Sequence, residues 1–169
     1  MYNEFNPIDS TYIDCMSSAN SIGGVEMSKK SEKQMAMMVD PVQPHCDEKI
    51  TAAITCSHAG SIRSLLVSKL MGQGGGGGKT SNLPNPVFLA VGEKSIYAFK
   101  YVPRGFKFKF KKEVARWQKD EIDVEYEFSG GMATFVMSTK SGDYYTLEFP
   151  IVMGGKELAE MFFSAIQAK

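Results

Sequence analysis

Glu121-Ile122-Asp123-Val124-Glu125-Tyr126-Glu127-Phe128, followed at once by Ser129-Gly130-Gly131 and an apolar run from Met132, decides how this chain folds. Apolar side chains take every second place, with carboxylates between them. Successive side chains of a strand point to opposite faces, so this alternation puts one face in a core and the other in water. Ser-Gly-Gly reads as a tight turn, because glycine reaches positive φ without a steric penalty.

The pattern repeats outward from there. Downstream, residues 132–138 and 144–149 read as strands joined by Ser141-Gly142-Asp143. Pro150 and Gly154-Gly155 then separate the last strand from a helix over 156–169, whose apolar stripe is Leu158, Met161, Phe162, Ala165 and Ile166. Upstream, Phe106, Phe108 and Phe110 alternate with Lys107, Lys109 and Lys111. Residues 86–91 and 95–101 flank the turn Gly92-Glu93-Lys94. Residues 49–57 read as a first strand, with Ile50, Ala52, Ile54 and Cys56 on one side. Between strands 1 and 2, Ile62, Leu65, Leu66 and Leu70 predict an extra helix over 61–71, which Gly72–Gly78 ends. The expected fold is mainly β (α+β): seven antiparallel strands in a sandwich or partly open barrel, capped by a C-terminal helix.

Residues 1–44 lack a sustained period and read as a flexible N-terminal arm preceding a domain over 45–169. Within the arm a short helix is expected at 27–39, with Met35, Met37 and Met38 offered to a partner. The three cysteines have neither disulfide nor metal spacing and suit a reducing cytosol. The N-terminus lacks the pattern of a secretory signal, and no apolar run approaches the ~20 residues of a membrane span. A cytoplasmic protein is expected.

Nineteen basic and nineteen acidic residues cancel, which excludes a globally basic polyanion binder. Their distribution is uneven. Between Lys94 and Lys119 the only acid is Glu113, against Lys100, Arg104, Lys107, Lys109, Lys111, Lys112 and Arg116, whereas 120–160 is mainly acidic. If the lysine and acidic strands are hairpin neighbours, their charges meet across the ladder. If not, the segment 104–116 offers an anion site centred on Arg104 and the strand end. Inward phenylalanines would be unavailable to stack on bases, which argues against nucleic acid.

The run Phe88-Leu89-Ala90-Val91-Gly92-Glu93-Lys94-Ser95-Ile96-Tyr97-Ala98-Phe99 resembles the strand–turn–strand of bacterial pleckstrin-homology-like (PH-like) domains, and the order of elements over 49–169 is similar. That resemblance implies a lipid-headgroup site in the connection between the first two strands, here 57–86. Its only basic residues are Arg63, Lys69 and Lys79, without the tight basic cluster of phosphoinositide-binding members. The resemblance further implies a non-enzymatic module that recognises a protein segment, mediates assembly, or lies on an anionic membrane surface.

Other motifs fail on spacing or context. Gly74–Gly78 with Lys79-Thr80 has Gln73 where a phosphate-binding loop needs its first glycine, and Pro84 and Pro86 bar the helix that should follow. His45, Cys46, Cys56 and His58 lack the chelate spacing of a zinc site. No pair of titrating groups is placed by spacing for catalysis, and Trp117 reads as a core or hairpin-end anchor. Neither a cofactor nor a metal is expected.

Overall fold

The computed structural model describes residues 28–59, 82–104, 107–151 and 155–168. The extra helix expected at 61–71, the glycine run and residues 1–27 lie outside these.

Seven strands, β1 (Ile50–His58), β2 (Val87–Gly92), β3 (Ser95–Arg104), β4 (Lys107–Gln118), β5 (Ile122–Ser129), β6 (Met132–Thr139) and β7 (Tyr144–Pro150), form one antiparallel sheet in the order β4-β3-β2-β1-β7-β6-β5. It is not closed: β4 and β5 each have a single ladder partner. Helix α1 (Lys29–Val42) precedes the sheet and helix α2 (Gly155–Gln167) follows it. Within the described residues no helix is long and apolar enough to cross a membrane.

Where alternation is strict, the strands form as expected. Ser129 pairs with Met132 across Gly130 and Gly131, both at positive φ (59° and 78°), as a two-residue hairpin turn requires. β2 is central and buried on both sides, which is why it reads as unbroken apolar sequence. Its odd residues Val87, Leu89 and Val91 enter the larger core with Ile54, Phe135, Leu147 and the inner side of α2. Its even residues Phe88 and Ala90 enter a second cluster on the outer face, with Tyr97, Phe99, Tyr101, Phe108 and Phe110.

Two differences from the sequence reading have one cause. β4 continues to Gln118, past the point where alternation stops at Lys111-Lys112, because register shifts leave Lys111 and Val114 without partners on β3. An inserted residue inverts the side-chain period downstream, so one strand looks like a strand and a loop. Trp117 then faces the larger core, its ring 5.0 Å from that of Tyr145. In β1 a shift between Ile50 and Ala52 sends Ile50 to the outer cluster, while Ala52, Ile54 and Cys56 face the larger core.

Of the segment read as an arm, residues 29–42 form α1, and Gln43–His45 add a 3-10 turn. Ser28 caps the helix, its Oγ accepting from the Ser31 N–H at 3.3 Å. Met35 is 3% exposed, so it is core rather than an offered side chain, whereas Met37 is exposed and Met38 half-buried. Among the described residues β1 pairs with β7 only at Ser57 and His58, which leaves the rest of that edge without a described strand. There the Ala53 N–H donates to Met35 Sδ at 3.2 Å, so α1 covers a stretch of β1 that would otherwise be open backbone. The Ser28 and Ser31 hydroxyls both donate to Glu157 Oε2, at 2.7 and 2.5 Å, tying α1 to the first turn of α2.

Candidate functional site

The basic residues are brought together by the β3–β4 hairpin. Cross-strand partners share a face, and the ladder sets Arg104 opposite Lys107, Val102 opposite Lys109 and Lys100 opposite Lys112. All six side chains are exposed, as is the bulged Lys111. This row continues the face that buries Ile96 and Ala98 nearer the core. On the other face Phe108 and Phe110 pack edge-on to Phe88 at 5.2 and 4.8 Å. The alternation of lysine and phenylalanine is therefore a boundary between water and the outer aromatic cluster.

The acidic strand does not neutralise this row. β4 and β5 stand at opposite ends of the sheet order. The described ion pairs are Arg116 with Asp47 and Glu113, at 2.8 and 2.9 Å, and Lys156 with Glu160 at 3.3 Å. Arg104, Lys107, Lys109, Lys111 and Lys112 join none of them. Connectivity explains why. A hairpin folded about the 3-10 turn Lys119–Glu121 would set Gln118 opposite Ile122 and Lys111 opposite Ser129, carrying Lys107 and Lys109 beyond the end of β5. Hairpin adjacency could never have matched these lysines to Asp123, Glu125 and Glu127. Like charges opposite one another, as Lys100 is to Lys112, disfavour the hairpin by themselves.

Arg116 belongs elsewhere. It points to the outer face, 4.5 Å over the Tyr97 ring, and bonds to Asp47 and Glu113. Beside it Asp47 and Glu48 form a polar knot. Glu48 accepts from the N–H groups of Lys94 (2.7 Å) and Ser95 (2.9 Å) and from the Tyr97 hydroxyl (2.8 Å), which also contacts Asp47. Hydrogen bonds from Tyr97 and then Arg116 hold the Asp47 carboxyl down at about 2. Partial burial would raise the Glu48 carboxyl, but the donors from Lys94, Tyr97 and Ser95 outweigh it and keep Glu48 below the usual carboxylate range. The knot fastens the segment before β1 to the β2–β3 turn. Nothing in the sequence marked Asp47 and Glu48, because their partners lie 46 to 69 residues away.

The remaining candidates separate. Cys56 lies in the larger core and Cys46 beside the outer cluster, so the sheet stands between them. His45 packs on Phe110 at 5.1 Å, whereas His58 Nε2 lies 3.1 Å from the Leu83 carbonyl. Burial first, then the Glu113 and Asp47 charges, pushes the Cys46 thiol up to about 11, and burial alone raises Cys56 further. Both stay thiols at neutral pH. Arg63, Lys69 and Lys79 lie outside the described residues. No protein-family model matches the chain, and no curated protein matches it in sequence.

Proposed function

We propose that this protein is a non-enzymatic adaptor of the PH-like kind, working in the cytoplasm by adding a protein strand to an exposed edge of its sheet. One observation carries this reading: the acidic strand β5 and the basic strand β4 both end the sheet, each with one edge of backbone N–H and C=O groups unused by the ladders. Such an edge accepts an extended segment through main-chain hydrogen bonds, and the flanking charges select its sequence. Seven antiparallel strands followed by a terminal helix is the order that suggested a PH-like domain, and the sheet with its closing helix α2 is consistent with it. The described carboxylates with lowered pKa are bound to backbone, serine, tyrosine or arginine donors, and both described thiols are protonated, which favours binding over chemistry.

Panning a random peptide library on the immobilised chain tests this reading. Recovered peptides should slow amide exchange along β4 or β5. Peptides that protect neither edge, or no binders at all, would overturn it.

A second reading, an anionic membrane surface, is favoured by the row Lys100, Arg104, Lys107, Lys109 and Lys112 around exposed Val102, which joins no ion pair among the described residues. Here the chain should float with acidic vesicles at low salt, less so at physiological salt, and not with neutral ones. The Lys107/Lys109/Lys111→Glu variant should stay at the bottom of the gradient. Equal flotation of variant and native chain would remove the basic row from any such role.

A further inference from the structure

We propose that the strand added to β5 is β4 of a second copy of this chain, an inference that rests on the edge-recognition reading above. Charge and register both fit such a contact. Read antiparallel, β4 and β5 of two copies match over five consecutive positions. Lys107 stands opposite Glu127, Phe108 opposite Tyr126, Lys109 opposite Glu125, Phe110 opposite Val124 and Lys111 opposite Asp123. Each cation meets a carboxylate and each apolar side chain an apolar one. Since the chain's own turn would impose a different register, this match is reachable only between molecules.

Both rows are available for it. Lys107, Lys109, Lys111, Asp123 and Glu125 are exposed, and none of them joins a described ion pair. Phe108, Phe110 and Val124 are half-buried and Tyr126 is 37% exposed, so pairing would cover apolar surface on the other face of the joined ladder. Helix α2 reaches β5 from the inner face, where Phe163 stacks on Tyr126 at 4.0 Å, and so flanks the strand without pairing with its backbone. The contact joins two different surfaces, so each added copy leaves a free β4 at one end and a free β5 at the other, and growth is open-ended.

Sedimentation velocity of the full chain, from micromolar to submillimolar concentration at low and high salt, tests the proposal. The native chain should form a concentration-dependent series of oligomers that shortens with salt. Lys107→Glu/Lys109→Glu and Glu125→Lys/Glu127→Lys should each weaken association at least about tenfold, since each sets like charges face to face. The variant with all four exchanges restores opposite charges and the native net charge, and it should associate again. A native chain that is monomeric throughout overturns the proposal, as does a fourfold variant that fails to recover. Association indifferent to both double variants overturns this interface alone. The broader edge-recognition reading then stands or falls on the peptide-library result, so the two failures are distinguishable.

Discussion

Phe163→Ala is expected to destabilise the fold by about 3–5 kcal/mol, the usual cost of deleting a buried aromatic ring. Phe163 is 0% exposed and sits where α2 meets three strands. Its ring stacks on Tyr126 of β5 at 4.0 Å and 6° and stands 5.4 Å from Phe135 of β6 and 6.1 Å from Phe149 of β7, with Phe162 at 5.6 Å. Rigid rings on several sides cannot collapse into the space left behind, so the cavity term adds to the lost transfer energy. Phe163→Leu keeps part of the volume and should cost less than alanine. Urea unfolding read by tryptophan fluorescence measures both, through Trp117. A loss under about 1 kcal/mol for alanine would mean that α2 is held by something other than this aromatic contact.

Glu48→Ala should cost about 2–3 kcal/mol, because it removes a carboxylate that accepts from two backbone N–H groups and a hydroxyl. Gly92→Ala should cost nearly as much, about 1–3 kcal/mol, for a linked reason. A Cβ at Gly92 would stand 2.5 Å from Glu48 Cδ and 2.6 Å from Oε1. The flexible Glu48 side chain can swing aside, but only by giving up its hydrogen bonds. The two substitutions therefore share one loss, and the double variant should be little worse than Glu48→Ala. Additive costs would show that Gly92 acts through something other than Glu48.

The same knot sets an acid dependence. Asp47 and Glu48 hold protons less tightly folded than unfolded, so the stability they contribute is complete above the ordinary carboxyl range. It is lost as the pH falls from about 4 towards 2, where Asp47 titrates. Asp47→Asn/Glu48→Gln should flatten unfolding midpoints across that interval, and an unchanged slope would place the acid sensitivity elsewhere.

The seven strands and the terminal helix were legible in the sequence wherever the period was uninterrupted, as in Ile122–Ser129, where every second residue is apolar and glycines supply the turn. The period failed in β4, because the unpaired residues Lys111 and Val114 invert the phase and hide a strand that runs on to Gln118. The helix expected at 27–39 forms as α1, but its docking was not legible because its anchors are few: Ser31, Met35 and Val42 are its buried residues, and Met35 acts on a backbone edge of β1 that no local pattern announces. Phe163 lay outside the predicted stripe because a single row of side chains does not capture a helix whose buried residues, Ala159, Phe162, Phe163 and Ile166, face several strands at once.

For the candidate site the division is sharper. Alternation by itself determined that lysines and carboxylates occupy the water-facing rows of two strands, since side-chain direction along a strand is a local property with period two. Whether those rows meet depends on which strands are neighbours, a long-range outcome of how β1 bridges β2 and β7. Tertiary structure alone sent β4 and β5 to opposite ends of the sheet, so that a basic edge and an acidic edge do not meet within one molecule.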